Sequence, residues 1–198
     1  YSSIIRQSID DVEIIVVGGS DPALPVKHIP FDETVKKGWI SRKKNLITQN
    51  AKHENIVFMH DYFMLDDDWY QGFQLFGNNW DVCMNMIINS DGFRYRDWCI
   101  YHDPEHCYTK DGHRAFVVPY SYDKKEYMYI SGGYWVAKKS VMEKYPLDET
   151  KGWGEGEDVE WSERVLKNCS RVRDMLNGVE RLGLFFSSLS RAVCLLFP

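Results

Sequence analysis

The sequence predicts an α/β protein, and three observations carry that expectation. Val12 to Val17 (VEIIVV) is a continuous apolar, β-branched run that stops at Gly18-Gly19, the pattern of a strand buried on both faces. Asn55 to Met59 (NIVFM) repeats the pattern directly before His60-Asp61. Between them, GWISRKKNLITQNAKHE places Ile40, Leu46, Ile47 and Ala51 at spacings suited to a helix packed on a sheet. Ligands of an open α/β sheet bind beyond the carboxyl ends of its strands. Gly18-Gly19-Ser20 and His60-Asp61-Tyr62 are therefore expected on one rim.

The remaining elements follow in chain order. YSSIIRQSIDD reads as a helix rather than a natural beginning, so an upstream segment is expected, and no secretory leader is read ahead of the first strand. SDPALPVKHIPFDET reads as loop. From Trp80 to Tyr129 strand-like pieces such as DVCMNMII and HRAFVVPY alternate with polar aromatic stretches, and NSDGFRYRDW has the composition of a loop or hairpin. A substrate-contacting insertion belongs there. MYISGGYWVAKKSVMEKYPLDE then gives a short strand, the pair Gly132-Gly133 that lets backbone approach a ligand closely, and another strand or helix ending before Pro146. GWGEGEDVEWSERVLKN starts in a glycine-rich turn and enters a helix at about Glu157, with Trp161 and Val165 on its buried face.

Composition excludes some classes. A formal net charge of −5 argues against nucleic acid as the partner, because phosphate binding needs a clustered positive field. Five cysteines (Cys83, Cys99, Cys107, Cys169, Cys194) are too few and too irregular for a disulfide framework, which suits a reducing, cytoplasmic setting. The tail RLGLFFSSLSRAVCLLFP is broken by Arg191 and serines and falls short of the roughly 20 apolar residues a bilayer span requires. It reads as a last helix or a frayed tail, with peripheral membrane attachment as the alternative.

The acidic residues divide by position. Asp61 follows a buried strand at the rim, where a carboxylate is costly unless paired, hydrogen-bonded or on a metal, and hard oxygen ligands suit a divalent cation. His60 alternates with Asp61 in side-chain direction, so a hydrogen-bonded structural histidine and a ligand are both open readings. Asp66-Asp67-Asp68 before Trp69 reads as a helix N-cap with a solvated first turn. Glu155, Glu157, Asp158 and Glu160 form a second acidic group, which sits either for the helix dipole or for chemistry. Gly152, Gly154 and Gly156 clear space there, Trp153 offers a flat face, and a carboxylate beside them is a candidate general base. Cys99, His102, His106, Cys107 and His113 contain zinc-binding residue types in a spacing that matches no common structural-zinc pattern. Arg94, Arg96 and Asp97 are either phosphate or acceptor contacts or a surface salt-bridge cluster.

In order along the chain, three blocks resemble family 2 and galactosyltransferase-type glycosyltransferases of the GT-A fold. IIRQSIDDVEIIVVGGSD is similar to that family's first helix and the strand after it; GWISRKKNLITQNAKHENIVFMHDYFMLDDDWY resembles the helix with an Ala-Arg-Asn triplet and the strand that delivers the metal-binding DxD; ISGGYWVAKKSVMEKYPLDETKGWGEGEDVEWSERV resembles the segment ending in Trp-Gly-Gly-Glu-Asp. The blocks cover residues 1 to 168. The resemblance implies a GT-A domain over 1–170, with a mixed, mainly parallel sheet flanked by helices, and a C-terminal tail over 171–198 that resembles nothing in the family. The family's first strand has no counterpart here.

The resemblance also implies roles. His60-Asp61-Tyr62 stands where the family has DxD, so Asp61, with His60 second, becomes the ligand of Mn²⁺ or Mg²⁺. Gly18-Gly19-Ser20-Asp21 matches the nucleotide loop, Lys44-Asn45 matches the Arg-Asn of the helix triplet at the donor, and Gly132-Gly133 the loop against the donor sugar. Glu157-Asp158 matches the Glu-Asp pair, in which Asp158 is the base and Glu157, with Trp153, holds the acceptor. The implied activity is inverting transfer of a hexose from a nucleoside-diphosphate sugar, UDP first, to a glycan hydroxyl. A noncatalytic carbohydrate-binding domain, stacking sugar on Trp153 or Trp135, and a metal-dependent hydrolase are the alternatives.

Overall fold

The computed structural model describes residues 1–19, 22–101, 115–119, 122 and 127–168, together with the backbone of strands at 172–174, 181–184 and 192–197. Helix α1 (Ser2–Ile5) leads into β1 (Glu13–Val17), whose last four residues are buried as the apolar run requires. β2 (Lys27–Ile29) lies parallel beside it. Helix α2 (Ile40–Asn50) buries Ile40 and Ile47, and β3 (Asn55–His60) is buried along its whole length. A turn at Asp61-Tyr62 leads to β4 (Phe63–Leu65) and α3 (Trp69–Phe76).

β5 (Val82–Met84) and β6 (Met86–Asn89) follow, and β6 folds back on Phe93–Tyr95 as a hairpin, with Asn89 N–H donating to the Phe93 carbonyl at 2.8 Å and Tyr95 N–H to that of Ile87 at 2.8 Å. β7 (Trp98–Tyr101), β8 (Ala115–Val117) and β9 (Met128–Ile130) make a separate antiparallel sheet. β10 (Tyr134–Lys138) runs into α4 (Lys139–Lys144), and α5 (Glu157–Leu166) buries Trp161 and Val165 on one face.

The described residues of the tail form strands, where the sequence reads as a last helix or a frayed tail. The tail contributes β11 (Val172–Asp174), β12 (Arg181–Leu184) and β13 (Ala192–Phe197), and β12 lies between β4 and β6 in a second three-stranded sheet. The run AVCLLF has the composition of a strand covered on both faces, and β13 takes a central place in the main seven-stranded sheet, whose order is β11-β5-β10-β3-β13-β1-β2. Two of that sheet's six pairings are parallel, β11 with β5 and β1 with β2, and the others are antiparallel. The mainly parallel sheet expected above is corrected accordingly. β13 and β10 run against the rest and alternate with strands that share one direction, so β1, β2, β3, β5 and β11 still point the same way.

That shared direction matters for the rim. Val17 and His60 both register with Ala192, so β1 and β3 end at the same level, and Gly18 and Asp61 leave the sheet on one edge. α3 departs from expectation in a smaller way: Asp68 holds its N-cap position without a side-chain cap hydrogen bond, and Asp67 instead pairs with Arg6 at 3.2 Å.

No helix among the described residues is long and apolar enough to cross a membrane. A proline at Cys194, the residue opposite both Ile15 and Phe58, removes an N–H from the middle of the ladder, and an unsatisfied buried partner costs about 1–3 kcal/mol. The expected result for Cys194→Pro is a melting temperature lower by about 2–12 °C. An unchanged transition would mean that β13 does not occupy this slot.

Candidate functional site

Residues from β3, from the β9–β10 turn and from the start of α5 meet beyond the carboxyl end of β3. The His60 N–H donates to the Gly133 carbonyl at 3.0 Å, which lays the turn along the end of the strand. A Cβ at Gly133 would stand 3.0 Å from the Phe63 ring and 3.2 Å from the Tyr62 hydroxyl. One at Gly132 would stand 3.0 Å from Asp158 Oδ2 and 3.3 Å from Glu157 Oε1. The two glycines let strand-end aromatics and helix carboxylates close on the same stretch of backbone.

Helix α5 is stitched to that backbone by one face. Asp158 and Ser162 lie a turn apart: Gly132 N–H donates to Asp158 Oδ2 at 2.8 Å, and Ile130 N–H donates to Ser162 Oγ at 3.0 Å. Asp158 Oδ1 also accepts the Val159 N–H at 2.9 Å. The resulting pocket encloses about 490 Å³, and His60, Gly132, Gly133, Trp153, Glu157 and Asp158 are among its lining residues.

The glycine-rich turn before α5 is clasped from the other side by the start of α2. Trp153 N–H donates to the Gly38 carbonyl at 2.8 Å, Trp39 Nε1 to the Glu149 carbonyl at 2.7 Å, and Ser41 Oγ to the Lys151 carbonyl at 2.5 Å. Arg42 pairs with Glu149 at 3.0 Å. Trp153 itself is 71% exposed at the rim, the disposition of a stacking face open to a ligand. Trp135 is fully buried between the Lys44 ammonium, 4.3 Å from its ring centroid, and Trp161, stacked at 5.1 Å, so it belongs to the core and offers no face to a sugar.

Electrostatics under the pocket centre on Lys44, which is 1% exposed and donates to the Gly132 carbonyl at 2.6 Å. Burial lowers its pKa to about 8, against the opposing pull of Glu157 and Asp158. Burial and the charges of Lys44 and Lys43 push His60 down to about 3, so its imidazole is neutral. Its Nδ1 shares a 2.8 Å hydrogen bond with the Tyr62 hydroxyl, and its Nε2 is buried with no hydrogen-bond partner. Glu157, 4% exposed, is raised by burial and by Asp158, with Lys44 opposing.

Other expected site residues stand outside the lining. Asp61 is half-buried in the turn after His60. Gly18 has a left-handed φ of +105°, its carbonyl meets the His28 ring, and the buried Lys43 ammonium, ion-paired to Glu33, packs against it. Gly19 is exposed, and Ser20 and Asp21 lie outside the described residues. Asn45 uses its amide on Leu147, at 2.9 and 3.0 Å, and on Glu149 at 2.9 Å, so it holds the loop leading to Trp153. Arg94 closes bidentately on Asp97, which also accepts the Ile87 N–H at 3.1 Å and is 1% exposed, leaving Arg96 to line the pocket. Of the zinc-like group only Cys99 is described, and it is buried with its thiol pushed up to about 12, chiefly by desolvation; His102, His106, Cys107 and His113 lie outside the described residues.

Sequence reasoning put Tyr62 on the rim without giving it a role, and missed Tyr95, Tyr129, Ser131 and Val159 in the lining. Tyr62 carried a signal, because alternation puts it on the side of His60 two residues before it. The others reach the pocket through tertiary folding alone. A larger depression of about 750 Å³, lined by Gln7, Ser8, Asp66, Asp67, Asp68 and Tyr70 among others, is open polar surface. It has no counterpart to the buried, unpartnered His60. No protein-family model matches this chain, and no curated protein matches its sequence.

Among the described residues no three His, Cys, Asp or Glu side chains gather as a metal cage. What the rim does offer is one neutral imidazole, oriented through its other nitrogen as a ligating histidine is, and one carboxylate next to it in sequence. Of the two, only His60 lines the pocket, and Asp61 stands outside its lining.

Lys44 has a consequence for stability. Its folded-state pKa lies below the unfolded 10.5, so the unfolded chain binds more protons between pH 8 and 10.5, and stability rises with pH across that window. Urea denaturation of the parent and of Lys44→Met should show the parent gaining on the variant from pH 8 to 10.5. A constant difference would contradict a buried, depressed Lys44.

Proposed function

We propose that this chain is a GT-A-type glycosyltransferase that moves a hexose from a nucleoside-diphosphate sugar, with UDP as the first candidate, to a glycan hydroxyl with inversion. The observation that carries this reading is the convergence, at the carboxyl end of a buried strand, of His60, the Gly132-Gly133 turn and the Trp153–Asp158 turn. These segments lie far apart in sequence and match the resembling blocks in order. Branched, hydroxylated ligands need the kind of site they build: an exposed indole for stacking, glycine backbone for close approach, and carboxylates for hydroxyl hydrogen bonds.

In the proposed reaction the acceptor hydroxyl attacks the anomeric carbon from the side opposite the diphosphate. Glu157 and Asp158 provide the carboxylates that can take its proton. Gly132-Gly133 lies against the donor sugar, and Trp153 covers the acceptor. Arg96, Tyr95, Tyr129 and Ser131 are further polar residues of the lining that can engage ligand oxygens. Growing negative charge on the leaving diphosphate is what Mn²⁺ or Mg²⁺ held by Asp61 and His60 would neutralise as a Lewis acid.

A noncatalytic carbohydrate-binding domain is the second reading, favoured by the absence of Asp61 from the pocket lining and by the exposure of Trp153. Calorimetric titration with UDP, with and without Mn²⁺, on the parent and on Asp61→Ala separates the two. The expected outcome is metal-dependent UDP binding that Asp61→Ala weakens by at least about tenfold, or 1.4 kcal/mol. Binding of free sugars without any binding of UDP would turn the balance to the second reading.

A further inference from the structure

We infer that the sugar recognised in this pocket is an acidic one, and that Arg96 selects it by binding its carboxylate. This names a substrate class for the site of the preceding reading and rests on a sugar being what that site receives.

Arg96 stands at the apex of a three-residue turn, in which Asp97 N–H donates to the Tyr95 carbonyl at 2.7 Å. Both flanks of the turn are fastened to β6: Tyr95 N–H donates to the Ile87 carbonyl at 2.8 Å, and Ile87 N–H donates to Asp97 Oδ2 at 3.1 Å. Arg94 closes on the same buried carboxylate at 2.6 Å. The side chains of Arg6, Arg42, Arg94 and Arg164 each pair with a carboxylate, on Asp67, Glu149, Asp97 and Glu160. Arg96 makes no ion pair or side-chain hydrogen bond among the described residues and lines the pocket instead. A fixed turn that leaves one guanidinium unpaired at a cavity suits an oxyanion, because the two oxygens of a carboxylate match the guanidinium fork. Little ordering of the protein then opposes binding.

Position assigns the anion to the sugar rather than to the donor's phosphates. Tyr129, buried in the lining, has its phenol pKa raised first by burial, and the charges of Asp158 and Arg96 then act on it in opposite senses. Arg96 thus shares a neighbour with the carboxylates of α5, whereas Gly18, at the expected nucleotide loop, packs against Lys43 and stands outside the lining. A sugar in the pocket has its direction fixed by this arrangement. Its hydroxyls meet Glu157 and Asp158 and its carboxylate meets Arg96, while the reverse placement sets carboxylate against carboxylate. An independent sign that the pocket receives a polar ligand is His60, 4% exposed and in the same lining, whose Nε2 has no hydrogen-bond partner. A buried polar atom left unpaired in this way is relieved by a bound group.

Ligand-observed NMR titrations with UDP and Mn²⁺ present compare methyl glucuronide with methyl glucoside, and methyl galacturonide with methyl galactoside, on the parent, Arg96→Ala and Arg96→Lys. UDP affinity is measured separately by calorimetry. In the parent, the acidic member of at least one pair should bind about tenfold tighter than its neutral counterpart, the scale of one charge-assisted contact. Arg96→Ala should level that pair. Arg96→Lys should restore part of the preference, since an ammonium keeps the charge without the fork. Added salt should shrink the preference of the parent. Arg96 is exposed and unpaired among the described residues, so both variants should melt with the parent, which separates lost recognition from lost folding. Equal binding within both pairs by a parent that binds UDP would overturn the acidic-sugar assignment alone. A preference that survives Arg96→Ala would do the same, as would an Arg96→Ala that loses UDP binding instead, because the guanidinium would then belong to the donor's phosphates. A parent that prefers the acidic sugar but binds no UDP would support this inference while overturning the transferase reading. Binding of none of the four sugars would overturn this inference, and the UDP titration then reports on the transferase reading by itself.

Discussion

The ammonium of Lys44 lies inside the protein, and a charge there persists only where its surroundings compensate it. Compensation comes from three directions: the Gly132 carbonyl at 2.6 Å, the face of Trp135 at 4.3 Å, and the carboxylates of Glu157 and Asp158. Because these partners belong to the β9–β10 turn, to β10 and to α5, one side chain of α2 ties two walls of the pocket to the strand behind them. A cation over a desolvated indole contributes about 2 kcal/mol. The stacked Trp135–Trp161 pair behind it, tilted by only 5°, adds about 0.5–1.5 kcal/mol beyond its buried area. Burial first, and then the charges of Lys44 and Lys43, keep His60 neutral.

The sheet turns this local arrangement into a rim. β1 and β3 keep one direction although β13 separates them, and the shared register of Val17 and His60 with Ala192 brings their ends level. β10 begins at the same edge, since Tyr134 registers with Met59. Strand ends, glycine turn and helix start are thereby stacked at one place. The clasp between residues 38–42 and 149–153 adds a further restraint, holding Trp153 out at the edge while Glu157 stays buried.

Much of this is legible in the residues. The apolar runs of β1 and β3, the periodicity of α2, and Trp161 and Val165 on the inner face of α5 all follow from local pattern, because burial imposes a period on short segments. His60, Gly132-Gly133, Trp153 and Glu157-Asp158, which line one pocket, also stand out in the sequence, each being a costly or conformationally special residue at an element's end. Long-range pairing is what local pattern does not carry. AVCLLF is too short to distinguish a tail from a central strand, and nothing near it in sequence reveals that it lies between β1 and β3. The fate of Asn45 is hidden for the same reason: an amide reads as a ligand group until its partners, Leu147 and Glu149, arrive from elsewhere in the fold. The pair Arg94–Asp97, three residues apart, is by contrast one of the two readings the sequence offers.

The central claim is that the pocket built on Gly132, beyond the end of β3, is where this protein meets its ligand. Hydrogen–deuterium exchange with and without UDP and Mn²⁺ tests it most directly. Protection confined to residues 60–63, 131–134 and 153–159 is the predicted result. Protection centred instead on residues 7–10 and 66–74, where the larger acidic depression lies, with the Gly132 region unchanged, would contradict the account.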